Sequence, residues 1–213
     1  MHLRALRTSL GPVTAAAVVA TAAAGAGLLT APAASAAEPG TTSLASVLLA
    51  GGGPTYDRNG DDYDILTGAV LAVLAAKPDS PVKVLTDGTT PLTAFLPDDR
   101  AFRKLVITLT GSSVKSEQAN LAAVASLGID TVEQVLLYHV VPGATIDASA
   151  AAAADGASLT TAAGAPLTVD VGASIRIVDT SAVTKDAKVK VPDINAGNRQ
   201  IAHGIDRVLL PAM

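Results

Sequence analysis

The sequence predicts an α+β domain rather than a repeating βαβ one, on three observations. Apolar residues recur at helical spacing through most of the chain up to residue 154. Beyond Gly156 the period shortens to alternating segments punctuated by glycine turns. Among the helices only residues 82–85 and 92–96 read as strands, so helices fall between two early strands and a β-rich last third.

The first residues of the 213-residue chain read as a targeting leader. Arg4 and Arg7 give a positive start, residues 8–37 carry no charge, and a Val/Ala/Leu-rich middle closes on Ala34, Ser35 and Ala36. This is the pattern of a secretory signal peptide over residues 1–36. An uncharged run of that length could also span a bilayer. Its Ala, Gly and Thr content and Pro32 make it weakly hydrophobic, however, so the expectation is cleavage and a secreted, extracellular product. Residues 37–213 then form a single domain of 177 residues, long enough for a sizeable core. Without the two leader arginines that domain carries 13 basic against 19 acidic residues, a net charge of −6, which gives no footprint for nucleic acid. No second hydrophobic span follows the leader, so no membrane span is expected after cleavage. The chain has no cysteine, which excludes disulfides and thiolate metal sites.

Each element has a local reason. Thr42 or Ser43 can cap a helix over 41–49, stopped by Gly51, Gly52 and Gly53. Asp64 is placed to cap a second helix with Ile65, Leu66, Ala69, Val70, Val73 and Leu74 on one face, ended by Pro78. The turn 86–89 separates the strands 82–85 and 92–96. Asp98 or Asp99 can cap a helix that turns Phe102, Leu105, Val106 and Leu109 inward before Gly111. Residues 116–127 form an amphipathic helix closed by Gly128, and Asp130 caps 131–139. The alanine-rich run 147–154 is a short helix, and 159–162, 167–171, 175–179, 189–191 and 208–210 are strands.

Two regions carry polar groups that could do chemistry. Between the first two helices, Asp57, Asn59 and Asp61 alternate as in a calcium-binding EF-hand loop. The glycine position of that loop holds Asp62 and its twelfth position holds Gly68, so the expectation is a solvated turn with a helix cap and no metal. The chain has three tyrosines, two phenylalanines and no tryptophan, and Tyr56 and Tyr63 flank this loop. Aromatics carry much of the energy of binding surfaces, which makes Tyr56, Asp57, Asp61 and Tyr63 the candidate contact patch.

The second region is Tyr138 and His139, set in an aliphatic run that stops at Pro142 and Gly143. A buried polar pair must find partners. His139 falls near a helix C-terminus, a polarity that favours the protonated ring. After the leader only His139 and His203 offer imidazole, and His203 with Asp206 reads as a turn-locking pair. No close ligand spacing, Gly-x-Ser-x-Gly elbow, phosphate loop or His-Glu-x-x-His helix accompanies them, so no catalytic residue, metal or cofactor is expected.

Three stretches together carry a family resemblance: 92–102 (LTAFLPDDRAF), 137–143 (LYHVVPG) and 193–211 (DINAGNRQIAHGIDRVLLP). In type, order and spacing they resemble the two end motifs and the central Tyr-His motif of the fasciclin domain, over roughly residues 42–211. The resemblance implies a wedge of two packed β-sheets with a helical bundle at one side. It further implies core strands in 95–102 and 201–211 that meet near the Tyr-His motif. Tyr138, His139, His203 and Asp206 are then signature residues of the fold. By the same resemblance the chain is a non-enzymatic adhesion module whose partner is a protein or glycan of the cell surface or matrix. The alanine-rich chain and its leader look bacterial. The polar Asn198, Arg199 and Gln200 before Ile201 depart from the last motif, and Arg100 departs from the first. The alternative is a secreted hydrolase or metal-dependent enzyme using His139 or His203 with residues 57–64.

Overall fold

Local capping sets the start of four helices. In the computed structural model, which describes residues 38–51 and 53–212, Ser43 accepts the Ser46 amide at the head of α1 (Leu44–Ala50). Asp98 accepts the Ala101 amide of α3 (Asp99–Thr110), Ser116 the Ala119 amide of α4 (Glu117–Ala125), and Asp147 the Ala150 amide of α6 (Ala148–Ala152). Each bond satisfies a donor that the first helical turn leaves without a partner. The leader expected over residues 1–36 lies outside the described residues.

The remaining helices depart from expectation at their starts. In α2 (Asp64–Ala76) and α5 (Ile129–Tyr138), Asp64 and Asp130 lie inside the first turn and do not cap it. The first-turn amide of α2 at Ile65, which has no partner within the helix, is taken by Asp99 Oδ1 from α3, 3.1 Å away. Gly128, at φ 92°, turns the chain so sharply that α5 begins at the next residue. Residues 82–85, expected as a strand, form a 3₁₀ helix over Pro81–Thr86. Ser80 caps it at the Val82 amide and Pro81 presets the first helical φ, which wins over the apolar character of the segment. Leu109, expected inward, is half-exposed at the rim of an apolar pocket of ≈ 90 Å³ shared with Leu127 and Val135.

The strands are β1 (Leu92–Pro97), β2 (Val140–Pro142), β3 (Ser158–Thr160), β4 (Pro166–Val171), β5 (Ile175–Val178), β6 (Ala187–Ile194) and β7 (Gln200–Ile205), hydrogen-bonded in the order β2-β1-β7-β6-β5-β4-β3. β1 runs parallel to β7, with Phe95 opposite His203, and every other pairing is antiparallel. The two packed layers implied by the resemblance are thus halves of one ladder that curls on itself. The Ala162 amide donates to the Val140 carbonyl at 2.7 Å and brings the far edge back toward β2.

Two cores result. Leu92, Ala94 and Leu96 of β1 and Ala202 of β7 face the helices and meet Leu44, Ile65, Phe102 and Leu136. Phe95 and Ile205 point the other way and meet Leu167, Val169 and Ile177 of β4 and β5. Being buried on both faces is why β1 reads as a continuous apolar run. The segments that the resemblance assigns to core strands are strand only as far as Pro97 and Ile205. Residues 208–210, expected as a strand, join no ladder. The Leu209 amide goes to His139 and that of Leu210 to Asp179, while Val208 and Leu210 fill the helix core and Leu209 the sheet core. Among the described residues no single helix is long and apolar enough to cross a membrane.

Candidate functional site

The loop between α1 and α2 is held by the first turn of α3. The Asp99 amide donates to the Asp62 carbonyl and the Arg100 amide to that of Gly60, both at 3.1 Å. A Cβ on Gly60 would come within 2.7 Å of the Arg100 side chain, so any larger residue here would have to displace that arginine. The docking gathers acids. Asp57, Asp62 and Asp64 each present one carboxylate oxygen, all within 4.8 Å of one another. Asp99 and Glu117, both fully buried, lie near them, and Arg103 pairs with Glu117. Asp62 Oδ1, Asp99 Oδ2 and Glu117 Oε2 are buried with no hydrogen-bond partner among the described residues.

The electrostatics follow from that crowding. Burial pushes the Asp99 carboxyl up to about 8 against the pull of the Ile65 amide, and the charges of Asp62, Glu117 and Asp64 add to it. Asp64 rises to about 6, chiefly by burial and then by Asp62, Asp57 and Glu117. Burial also raises Asp62 and Glu117, with Arg103 drawing Glu117 back. Beside the acids runs an open polar groove of ≈ 830 Å³ between Tyr56, Asp57 and Arg58 on one side and Arg103 and residues 113–116 on the other.

The sequence singled out this loop, and the structure divides its members between an outward and an inward face. Asn59 uses its amide on Asp57 and its side-chain oxygen on the Asp61 amide. These local turns send Asp61 outward to Arg100 and Lys190, whose hydrogen bonds and charge hold its carboxyl below the usual range. Asp62, which broke the EF-hand pattern, turns inward instead. The tyrosines also face inward. Tyr56 is half-buried with its hydroxyl over Gly68 of α2, and Tyr63 packs on the helix core with its hydroxyl against Gly204 of β7. Burial pushes the Tyr63 phenol up to about 12. The outward face of the loop is Asp57, Arg58, Asn59 and Asp61. Asp99, Arg103 and Glu117 were missed. Asp99 and Glu117 each stand in the first turn of a helix, where local sequence does not distinguish them from helix-dipole partners, and Arg103 lies one turn further along α3.

The Tyr-His motif lies elsewhere and is fully committed. His139 Nδ1 donates to the Val135 carbonyl at 2.7 Å, and Nε2 accepts the Leu209 amide at 2.9 Å, which defines a neutral ring. Burial holds that ring down to about 4, contrary to the protonated state expected from the helix end. The Tyr138 hydroxyl donates to the Pro166 carbonyl and accepts the Thr180 amide. His203 Nε2 donates to the Ile146 carbonyl at 2.8 Å and Nδ1 accepts the Asp193 amide at 3.3 Å. The expected pairing of His203 with Asp206 does not form. β7 ends between them, and Asp206 accepts the Lys188 amide and meets Arg207 and Lys104. Neither imidazole retains an uncommitted nitrogen.

The family model for the fasciclin domain matches residues 70–211. Among solved structures the chain is similar to a FAS1 domain pair from the insect cell adhesion molecule fasciclin I. The identity is 17% and the TM-score 0.53, over 80% of this chain and 51% of that one, so the chain spans about half its length. That likeness concerns the fold. No curated protein matches the chain.

Proposed function

The chain belongs to the fasciclin domain family, and from that premise we propose that it is a secreted, non-enzymatic adhesion-type module that binds a protein or glycan of the cell surface or matrix. The family match carries this reading, since fasciclin domains occur in cell adhesion proteins. Two structural features support it. Both imidazoles are consumed by backbone hydrogen bonds, which leaves the hydrolase alternative only the carboxylates of residues 57–64 as acid-base groups. The groove beside the 56–63 loop offers a polar, charged contact surface with Arg58 and Lys115 at its exposed rim.

The inward packing of Tyr56 and Tyr63 decides the test. Replacing them would disturb the core, so the informative variant is Arg58→Glu with Lys115→Glu, both exposed. Immobilised protein is expected to capture a component of cell-wall or matrix fractions saturably, and the double variant to lose that capture with an unchanged melt. Capture no greater than that of a heat-denatured control would sink the adhesion reading. Equal capture by the double variant would remove the groove as the contact surface.

A further inference from the structure

We propose that Asn59 is a site of spontaneous covalent modification, at which the Gly60 amide nitrogen cyclises onto the side chain and converts the residue to aspartyl and isoaspartyl forms. The inference does not rest on the adhesion reading and concerns the outward face of the loop between α1 and α2.

The reaction uses only this chain and water. Hydroxide removes the Gly60 N–H proton, and the nitrogen attacks Asn59 Cγ. As the new N–Cγ bond forms, the Cγ–Nδ2 bond breaks. Nδ2 takes a proton from water and leaves as ammonia, which regenerates the hydroxide. A second water then opens the five-membered imide. Cleavage at Cγ gives an aspartyl residue, whereas cleavage at the backbone carbonyl carbon gives an isoaspartyl residue whose main chain runs through the former side chain.

The fold selects this position among the four asparagines of the chain, at 59, 120, 195 and 198. The amide that follows the asparagine must be free to attack. The Ala196 amide after Asn195 donates to the Asp193 carbonyl at 3.2 Å, and the Arg199 amide after Asn198 donates to that of Gly40 at 2.9 Å. Asn120 is fully buried in α4, with its side-chain amide on the carbonyls of Val114 and Ser116. Asn59 is exposed, and among the described residues the Gly60 amide donates to no acceptor.

Two contacts favour the attack. The Asp61 amide donates to Asn59 Oδ1 at 3.3 Å, which folds the side chain back over the peptide that follows and polarises its carbonyl. The Arg100 amide holds the Gly60 carbonyl at 3.1 Å and so fixes the peptide that carries the nucleophile. Gly60 has no side chain of its own to shield that nitrogen. The product changes the loop in two ways. Either form adds a negative charge beside Asp57 and Asp61 on the outward face. The isoaspartyl form also lengthens the main chain between Arg58 and Gly60, which draws the Gly60 carbonyl off the Arg100 amide and loosens the loop from α3.

Incubation of the folded full chain at mildly alkaline pH, followed by peptide mapping by mass, tests this. A gain of about 1 Da is expected at Asn59 and at no other asparagine. Its rate should lie within about tenfold of that in a free peptide spanning residues 55–63. In urea, where Asn195 and Asn198 lose their backbone contacts, both should convert faster than in the folded chain. The Arg100 amide should lose hydrogen-exchange protection in the isoaspartyl fraction and keep it in Asn59→Asp, which adds the charge without lengthening the main chain. Conversion at Asn59 more than about tenfold slower than in the peptide, an equal rate at Asn195 or Asn198 in the folded chain, or full protection of Arg100 in the isoaspartyl fraction would each overturn the proposal.

Discussion

Protonating His139 would set a new N–H against the Leu209 amide that already donates to the same nitrogen, at a site only 4% exposed. Burial therefore holds the ring down to about 4, with the Val135 carbonyl pulling weakly the other way, whereas in the unfolded chain it titrates near 6.5. Between those values the unfolded state binds more protons, so stability is fully present above about pH 6.5 and falls as pH drops toward 4, by about 3 kcal/mol in total. The carboxyls of the acidic pocket, raised by burial, act in the opposite sense. The ring's share is thus read as a difference between proteins. The melting gap between the wild type and His139→Gln should be widest at pH 7 and shrink steadily toward pH 4, and a gap constant with pH would refute the coupling. At neutral pH, His139→Ala should lower Tm by about 5–10 °C, because two backbone groups lose their partner. That a polar pair sits in an aliphatic run is visible in the sequence. Which force governs the ring is not. A helix terminus is worth about 2 kcal/mol at most, and only the packed structure shows that the ring is dehydrated enough for burial to prevail.

The polar insert before β7 behaves as an element, although it read as a departure from the last motif. Asn198 Oδ1 accepts the Thr42 amide, and Asn195 donates to the carbonyls of Thr42 and Gln200 from a left-handed backbone at φ 66°. Gln200, fully buried, accepts the Leu44 amide and donates to the carbonyls of Val84 and Asp87, all at 2.8 Å. One side chain thus ties the first residue of β7 to α1 and to the 3₁₀ helix. Gln200→Leu keeps the bulk but leaves the Leu44 amide unpaired and takes one of two donors from each carbonyl, which still accepts the Asp87 or Thr90 amide, so it should cost about 2 kcal/mol and lower Tm by roughly 4–8 °C. The same variant should lose hydrogen-exchange protection at the Leu44 amide. A melt within about 2 °C of the wild type would mean that water replaces the amide. Elements with a local cause were legible. The caps at Ser43, Asp98, Ser116 and Asp147 follow from residues within one turn. The trans cap of α2 by Asp99, the inward turn of Asp62 and the role of Gln200 depend on segments far apart in the chain, and no local pattern encodes them.

At the scale of the molecule, two cores share one divider. β1 is buried on both faces, and its parallel pairing with β7 places the helix core on one side and the sheet core on the other. Periodicity gave the α+β class, but it cannot give a parallel pairing between the two ends of a domain, and that part rested on the family resemblance. The C-terminal segment then closes both cores at once. Val208 and Leu210 enter the helix core and Leu209 the sheet core, each nearly inaccessible, with the chain pinned by His139 and Asp179. Burying three aliphatic side chains is worth about 5–9 kcal/mol, comparable with the whole stability of a domain at about 5–15 kcal/mol. Removing residues 208–213 should therefore abolish the cooperative thermal transition, with helical and tyrosine circular dichroism signals lost together. Leu209→Ala should retain a single transition lowered by about 2–5 kcal/mol. If the truncated chain kept a helical transition near the wild-type Tm while the amides of β4 and β5 lost their hydrogen-exchange protection, the helix core would fold without the sheet core, and the shared divider would be a boundary between two independent units.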